Sequence, residues 1–237
     1  MKFDSLTVFV LASNETHLLR ATVNSIKTNC GNDLERIVIV AKNSTCPSYT
    51  EAIAICEEEA KAELYVQKAP TAQLCLAELP ALAESSHFVI MAADMEMNPS
   101  DLAVFIKKAK EHPCRIICAA KWMPGSTVTG YGFFHAFCSK AMNRFISILF
   151  GKKVYDPFSI YQIYPVSLYR KMNFDSPGKF LYEYTLKPLS LGEEYEEIST
   201  VYNKRNEGKS NFNFATLVSV GSKFVLTGLK IKFKSQV

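Results

Sequence analysis

The sequence predicts an α/β fold, a mainly parallel central sheet covered by helices on both faces. Strand-like and helix-like signals alternate through the first 120 residues. The strand-like runs are short, apolar and rich in β-branched residues, as strands buried on both faces are. With 237 residues, 48% apolar and 21% charged, the chain is long enough to bury such a sheet and too apolar to stay disordered.

The elements follow in order. Leu6 to Ala12 reads as a buried strand, and Asn14 with Glu15 opens a helix with Leu18, Leu19, Val23 and Ile26 on one face, ending near Gly31. Arg36 to Ala41 is the second strand. Tyr49 to Ala62 reads as a helix with Ile53 and Ile55 inside and Glu57, Glu58 and Glu59 outside. Leu64 to Val66 is a weak third strand, and Ala72 to Glu84 a helix that Pro80 interrupts. His87 to Met91 is the fourth strand, Pro99 to Lys110 a helix with its proline at the start, and Arg115 to Ala119 the fifth strand. The second half differs. Residues 122–132 are loop-like, Phe134 to Phe150 is an apolar helix closed by Gly151, and Phe180 to Leu191 is a helix with Pro188 near its end. Glu197 to Tyr202 is β-rich. The expected division is one domain over residues 1–211 and an amphipathic basic segment over 212–237.

Charge and cysteines narrow the function. The net charge is +4, yet residues 201–237 carry seven lysines and arginines against Glu207 alone, which leaves −2 on the rest. A basic end on a near-neutral body points to a phosphate-rich partner. Aromatic–basic motifs of the kinds that read bases are lacking, so nucleic acid is not expected. The seven cysteines form no C-x-x-C and no zinc-finger spacing with histidine, which suits reduced thiols in the cytosol. No apolar run reaches the roughly 18–20 residues of a membrane span. Leu6 to Ala12 is short for a signal-peptide core, and no A-x-A-like site follows it.

Ligands of open parallel sheets bind outside the carboxyl ends of the strands. That directs attention to Ser13-Asn14-Glu15, to Ala41-Lys42-Asn43-Ser44, and to Asp94-Met95-Glu96. Two carboxylates at i and i+2 beyond a strand can face one divalent cation that bridges diphosphate oxygens. Equally, Asp94 or Glu96 can cap the helix that begins near Pro99. His17, His87 and His112 are scattered and read as structural, and Trp122 is expected to pack under its loop.

These strand-end groups, with Asp156-Pro157, resemble a family-2 glycosyltransferase, and the order of the later motifs resembles its polyprenyl (dolichyl)-phosphate sugar synthase branch. Leu149-Phe150-Gly151 and Val154-Tyr-Asp156-Pro157-Phe-Ser159 follow the branch's L-L-G-x-x-V-x-D-P-x-S-G run. Phe180-Leu-Tyr-Glu183 is similar to its F-x-x-E, and Arg205-Asn-Glu-Gly208-Lys-Ser210 to its R-x-x-G-x-S. The sequence departs from the pattern in three places. Ala41-Lys42-Asn43-Ser44 has no carboxylate where the family places one on the nucleotide base, Ala92 stands for the first acid of D-x-D, and Ile160 replaces a glycine.

The resemblance implies a GT-A-like fold and an inverting, metal-dependent transfer from a nucleotide-diphosphate sugar to a polyprenyl phosphate. It implies catalytic roles for Asp94 and Asp156, and Mg²⁺ or Mn²⁺ on Asp94 and Glu96. Ser13, Asn14, Glu15, Asn43, Arg205 and Lys209 would bind the nucleotide sugar, and Lys121, His135 and Ser139 the acceptor phosphate. Glu183 is either an acceptor-side or a structural carboxylate. The missing acids leave a second reading open, a degenerate binding module without turnover. The apolar positions 214, 217, 218, 224, 225 and 229, with Lys223, Lys230, Lys232 and Lys234, suggest a helix lying peripherally on the cytoplasmic face of a membrane. An ordinary helix packed on the domain fits the same pattern.

Overall fold

The computed structural model describes residues 2–172, 174, 179–203 and 214–234, with only the helical backbone described at 214–218 and 234. Elements are numbered in chain order. β1 (Leu6–Ala12) lies between β2 (Leu34–Ala41) and β4 (His87–Ala92), and β3 (Ala62–Val66) extends the sheet beyond β2, all four parallel. Successive strand residues point to opposite faces. Val8 and Val10 therefore join α1 (His17–Cys30), α2 (Ser48–Glu58) and α4 (Asp101–Glu111) through Leu19, Ile55 and Phe105. Phe9 and Phe88 join α3 (Ala72–Glu78) through Cys75 and Leu76 on the other face.

The second half completes the sheet. β5 (Ile116–Ala119) does not pair with β4; β7 (Gln162–Pro165) lies between them, antiparallel to both. β8 (Tyr195–Ile198) adds parallel to β5, giving the order β3-β2-β1-β4-β7-β5-β8. The mainly parallel sheet agrees with the sequence reading; the antiparallel strand and the short α6 (Val166–Lys171) that follows it were not expected. A four-residue strand containing Gln162 and ending in Pro165 has too few apolar positions to declare a period. β6 (Thr127–Val128) and β9 (Val201–Tyr202) form a separate parallel pair.

Two further expectations change. The second helix ends at Glu58, and Ile53 lies on its outer side, because the core-facing row runs through Ser48, Ala52 and Ile55. In the C-terminal segment, α8 (Phe214–Lys234) spends part of its apolar surface on the protein. It shares a third core with α5 (Phe133–Phe150) and α7 (Phe180–Ser190), in which Phe224 is fully buried among Ile146, Phe158, Tyr182 and Leu186. Gly221 and Gly228 allow that approach. A Cβ at Gly221 would collide with Met142 Sδ, and one at Gly228 would lie 3.1 Å from Ile146 Cδ1. No described helix is long and apolar enough to cross a membrane.

Candidate active site

A cleft of about 380 Å³ opens at the carboxyl ends of β1, β2, β3 and β4. Its polar lining is Ser13, Glu15, Lys42, Gln67 and Asp94, set among Leu11, Val40 and Leu76. Each polar residue follows or ends a buried strand, so the sheet fixes its position. Glu15 Oε2 accepts the N–H groups of Ser13 (2.8 Å) and Asn14 (3.0 Å), which folds the loop after β1. Asn14 and Asn43 do not line the cleft. Asn43 Oδ1 accepts the N–H and hydroxyl of Thr45 at 3.1 and 3.0 Å, so this side chain stabilises its own turn.

The acidic turn sits at the cleft's edge. Asp94 is buried, and its Oδ1 accepts the Glu96 N–H at 3.1 Å. Met95 between them has φ of 60°, a left-handed conformation that non-glycine residues adopt rarely and often at functional sites. The turn is held from outside. Asn203 donates its backbone N–H to Glu96 O at 3.0 Å and its side-chain amide to Met95 O at 3.3 Å. The Tyr202 hydroxyl donates to Glu96 Oε2 at 2.9 Å. Just before α4, Asn98 Oδ1 accepts the Ser100 N–H at 3.1 Å.

A second cluster adjoins the first across Tyr202. Lys121 Nζ lies 5.3 Å from the centre of the Tyr202 ring and 2.8 Å from Asp156 Oδ2, which also accepts the Lys121 N–H at 3.2 Å. Asp156 is fully buried, and its Oδ1 has no hydrogen-bond partner among the described residues. It can act on a substrate only through the groups it holds. Burial pulls the Lys121 pKa down, but the Asp156 carboxylate together with Tyr131 and Cys118 more than offsets it and the net shift is upward, so Lys121 stays charged. Tyr131 stacks obliquely on His135 with ring centres 4.7 Å apart and meets Trp122 and Tyr202 edge-on. Burial and the nearby Lys121 charge lower the His135 pKa, which favours the neutral imidazole. Ser139 Oγ accepts the Trp122 indole N–H at 2.8 Å. Lys121, His135 and Ser139 are thus linked to one another through the rings of Tyr202, Tyr131 and Trp122.

Two carboxylates on one turn are the donors a hard cation takes when substrate phosphates complete its shell, so the Asp94–Glu96 turn fits Mg²⁺ or Mn²⁺. Among the described residues no three His, Cys, Asp or Glu side chains form a metal-binding group. Arg205 and Lys209, with Gly208 and Ser210, lie outside the described residues.

Sequence reasoning missed Gln67, Tyr131, Tyr202 and Glu197 as site residues. Glu197 accepts the N–H groups of Tyr155 (2.7 Å) and Asp156 (2.7 Å), beneath the Lys121–Asp156 pair. Burial is the first cause that lifts its pKa, to about 7, against those two N–H groups. An acid at the start of a β-rich run was the available signal.

A mainly parallel sheet with one antiparallel strand inserted, helices on both faces and a cleft at the strand ends is a GT-A-like fold. Solved structures of this shape include glucosyl-3-phosphoglycerate synthase from Mycobacterium tuberculosis, in complex with Mn²⁺, UDP-glucose and phosphoglyceric acid. The likeness covers 97% of this chain and 80% of that one, with a TM-score of 0.69 and 15% identity. A second, described only as a mycobacterial protein, gives a TM-score of 0.71 at 13% identity over 96% of this chain and 74% of that one. No protein-family model and no curated protein sequence matches the chain.

Proposed function

We propose that the chain is an inverting glycosyltransferase that moves a sugar from a nucleotide-diphosphate sugar to a phosphate-bearing acceptor, a polyprenyl phosphate, at the cytoplasmic face of a membrane. The observation that carries the reading is the junction of the two clusters: the Asp94–Glu96 turn and the Lys121–Asp156 pair meet across one side chain, Tyr202. The strand-end cleft would take the nucleotide, with Ser13 and Glu15 at its rim. Asp94 and Glu96 would hold Mg²⁺ or Mn²⁺, which when bound neutralises charge on the diphosphate leaving group. Arg205 and Lys209 would add cationic contacts to the same diphosphate.

On the acceptor side, Asp156 keeps Lys121 charged and fixed, and Lys121 with neutral His135 orients the phosphate. That phosphate is ionised at neutral pH, so no strong general base is required. The solved neighbour that binds phosphoglyceric acid supports a phosphorylated acceptor in this kind of site, and the ordered motifs support the polyprenyl chain. The degenerate binding module remains the second reading, favoured by Lys42, which lines the cleft where the related pattern has a carboxylate.

A ligand that binds the native state raises its melting temperature by mass action. UDP- and GDP-sugars are expected to do so, more strongly with Mn²⁺, and Asp94→Asn to remove the Mn²⁺-dependent part. Transfer of labelled sugar to a short polyprenyl phosphate separates the readings: binding without transfer to that acceptor or to phosphoglycerate supports the binding module. No shift with any nucleotide sugar would overturn both.

A further inference from the structure

Tyr202 stands on a strap that the main sheet does not hold. Among the described residues β9 pairs with β6 alone, Val201 opposite Thr127 and Tyr202 opposite Val128. The strap is fastened on two sides. The Thr129 N–H donates to Tyr202 O at 3.0 Å. The Thr200 N–H donates to Ser126 Oγ at 3.1 Å, and that hydroxyl donates in turn to Ala120 O at 2.7 Å, beside Lys121. The Thr200 hydroxyl donates to Asp101 Oδ2 at the start of α4. The strap therefore ties the segment that carries Lys121 to the helix that follows the Asp94–Glu96 turn.

The Tyr202 side chain is seated on the Lys121 side and used on the other. Its ring meets Tyr131 edge-on, with centres 5.8 Å apart, and faces Lys121 Nζ at 5.3 Å. The Tyr131 and Tyr202 hydroxyls are hydrogen-bonded to each other. Tyr202 gives its single proton to Glu96 Oε2, so Tyr131 is the donor to Tyr202. The result is a chain of hydroxyls that ends on a carboxylate. A glutamate side chain is long, and a ligand that fixes it must offset its lost rotamer freedom. A lysine or arginine could hold it in advance, but would cancel the negative charge that draws a divalent cation. A neutral hydroxyl holds the carboxylate and leaves that charge in place.

We propose that Tyr202 is a positioning residue for the cation-holding turn: its hydroxyl, set by the ring's seat between Tyr131 and Lys121, orients the Glu96 carboxylate toward a divalent cation. The inference rests on the reading of Asp94 and Glu96 as cation ligands, and it places the control of that turn in the neighbouring cluster. Mn²⁺ titrated into the full chain, with and without UDP, and followed by water-proton relaxation tests it without turnover. Tyr202→Phe removes one oxygen and keeps the ring. It is expected to weaken Mn²⁺ binding about tenfold, the scale on which groups that orient a metal ligand act. Glu96→Gln should weaken binding too, and adding Tyr202→Phe to it should cost less than a further twofold, because both substitutions remove the same interaction. Wild-type Mn²⁺ affinity in Tyr202→Phe would overturn the proposal. So would a loss that is undiminished in the Glu96→Gln background, which would mark a general loosening of the strap. A wild-type chain that takes no Mn²⁺ under either condition would overturn the cation reading and this inference together.

Discussion

At the scale of single residues, Glu197 governs more than its own position. Its carboxylate gathers the Tyr155 and Asp156 N–H groups, Asp156 holds Lys121, and Lys121 faces Tyr202. Burial raises the Glu197 pKa to about 7 from an ordinary value of 4.5. The protonated form is therefore favoured in the folded state. Its contribution to stability is full below about pH 4.5 and is lost as the pH rises through 7. A shift of that size corresponds to roughly 3 kcal/mol across the window. Glu197→Gln lacks this titration, so its stability relative to wild type should rise from pH 5 to pH 8. Losing one acceptor oxygen changes the level of that curve but not its slope. Urea unfolding at several pH values measures it, and a pH-independent difference would mean that Glu197 does not titrate in this range.

Among the elements, α8 is where pattern and packing part company. Its three- and four-residue spacing made an amphipathic helix legible, but the spacing does not say which neighbour an apolar face meets. Phe224 shows the answer to be the protein itself, since it is wholly buried against α5, α7 and Phe158. Phe224→Ala is expected to destabilise the fold by about 3–5 kcal/mol, the range for emptying a buried aromatic site. Thermal or urea denaturation checks it, and a loss below about 1 kcal/mol would place Phe224 outside the cooperative core. The strands of the first 120 residues were legible because both of their faces are buried, so their composition is uniform. Asp94 and Glu96 were legible because a strand end positions them. Tyr131 and Tyr202 were not, because they reach the site from loops and a two-residue strand whose approach is set by long-range packing. Asn43 shows that a strand end also needs turn residues, since its side chain accepts the N–H and hydroxyl of Thr45.

For the molecule as a whole, the insertion of β7 between β4 and β5 dictates the order in which the fold can form. Residues 1–92 contain four parallel strands that can pair among themselves as soon as they are made. The remaining edge of β4 belongs to a strand that ends at Pro165, and β5 cannot enter the sheet before that strand arrives. Pairings so distant in sequence carry a loop-closure cost before they bring any gain, which makes them late events. During pulse-labelled refolding, amides of Val8 and Ile39 should gain protection before those of Ile117 and Ile163; simultaneous protection would mean that the sheet closes in a single step. Until then β4 offers an open edge, the kind that recruits strands from other chains. A nascent chain of this protein is accordingly most vulnerable to aggregation in the interval of synthesis between β4 and β7, after its first core has formed and before its sheet is sealed.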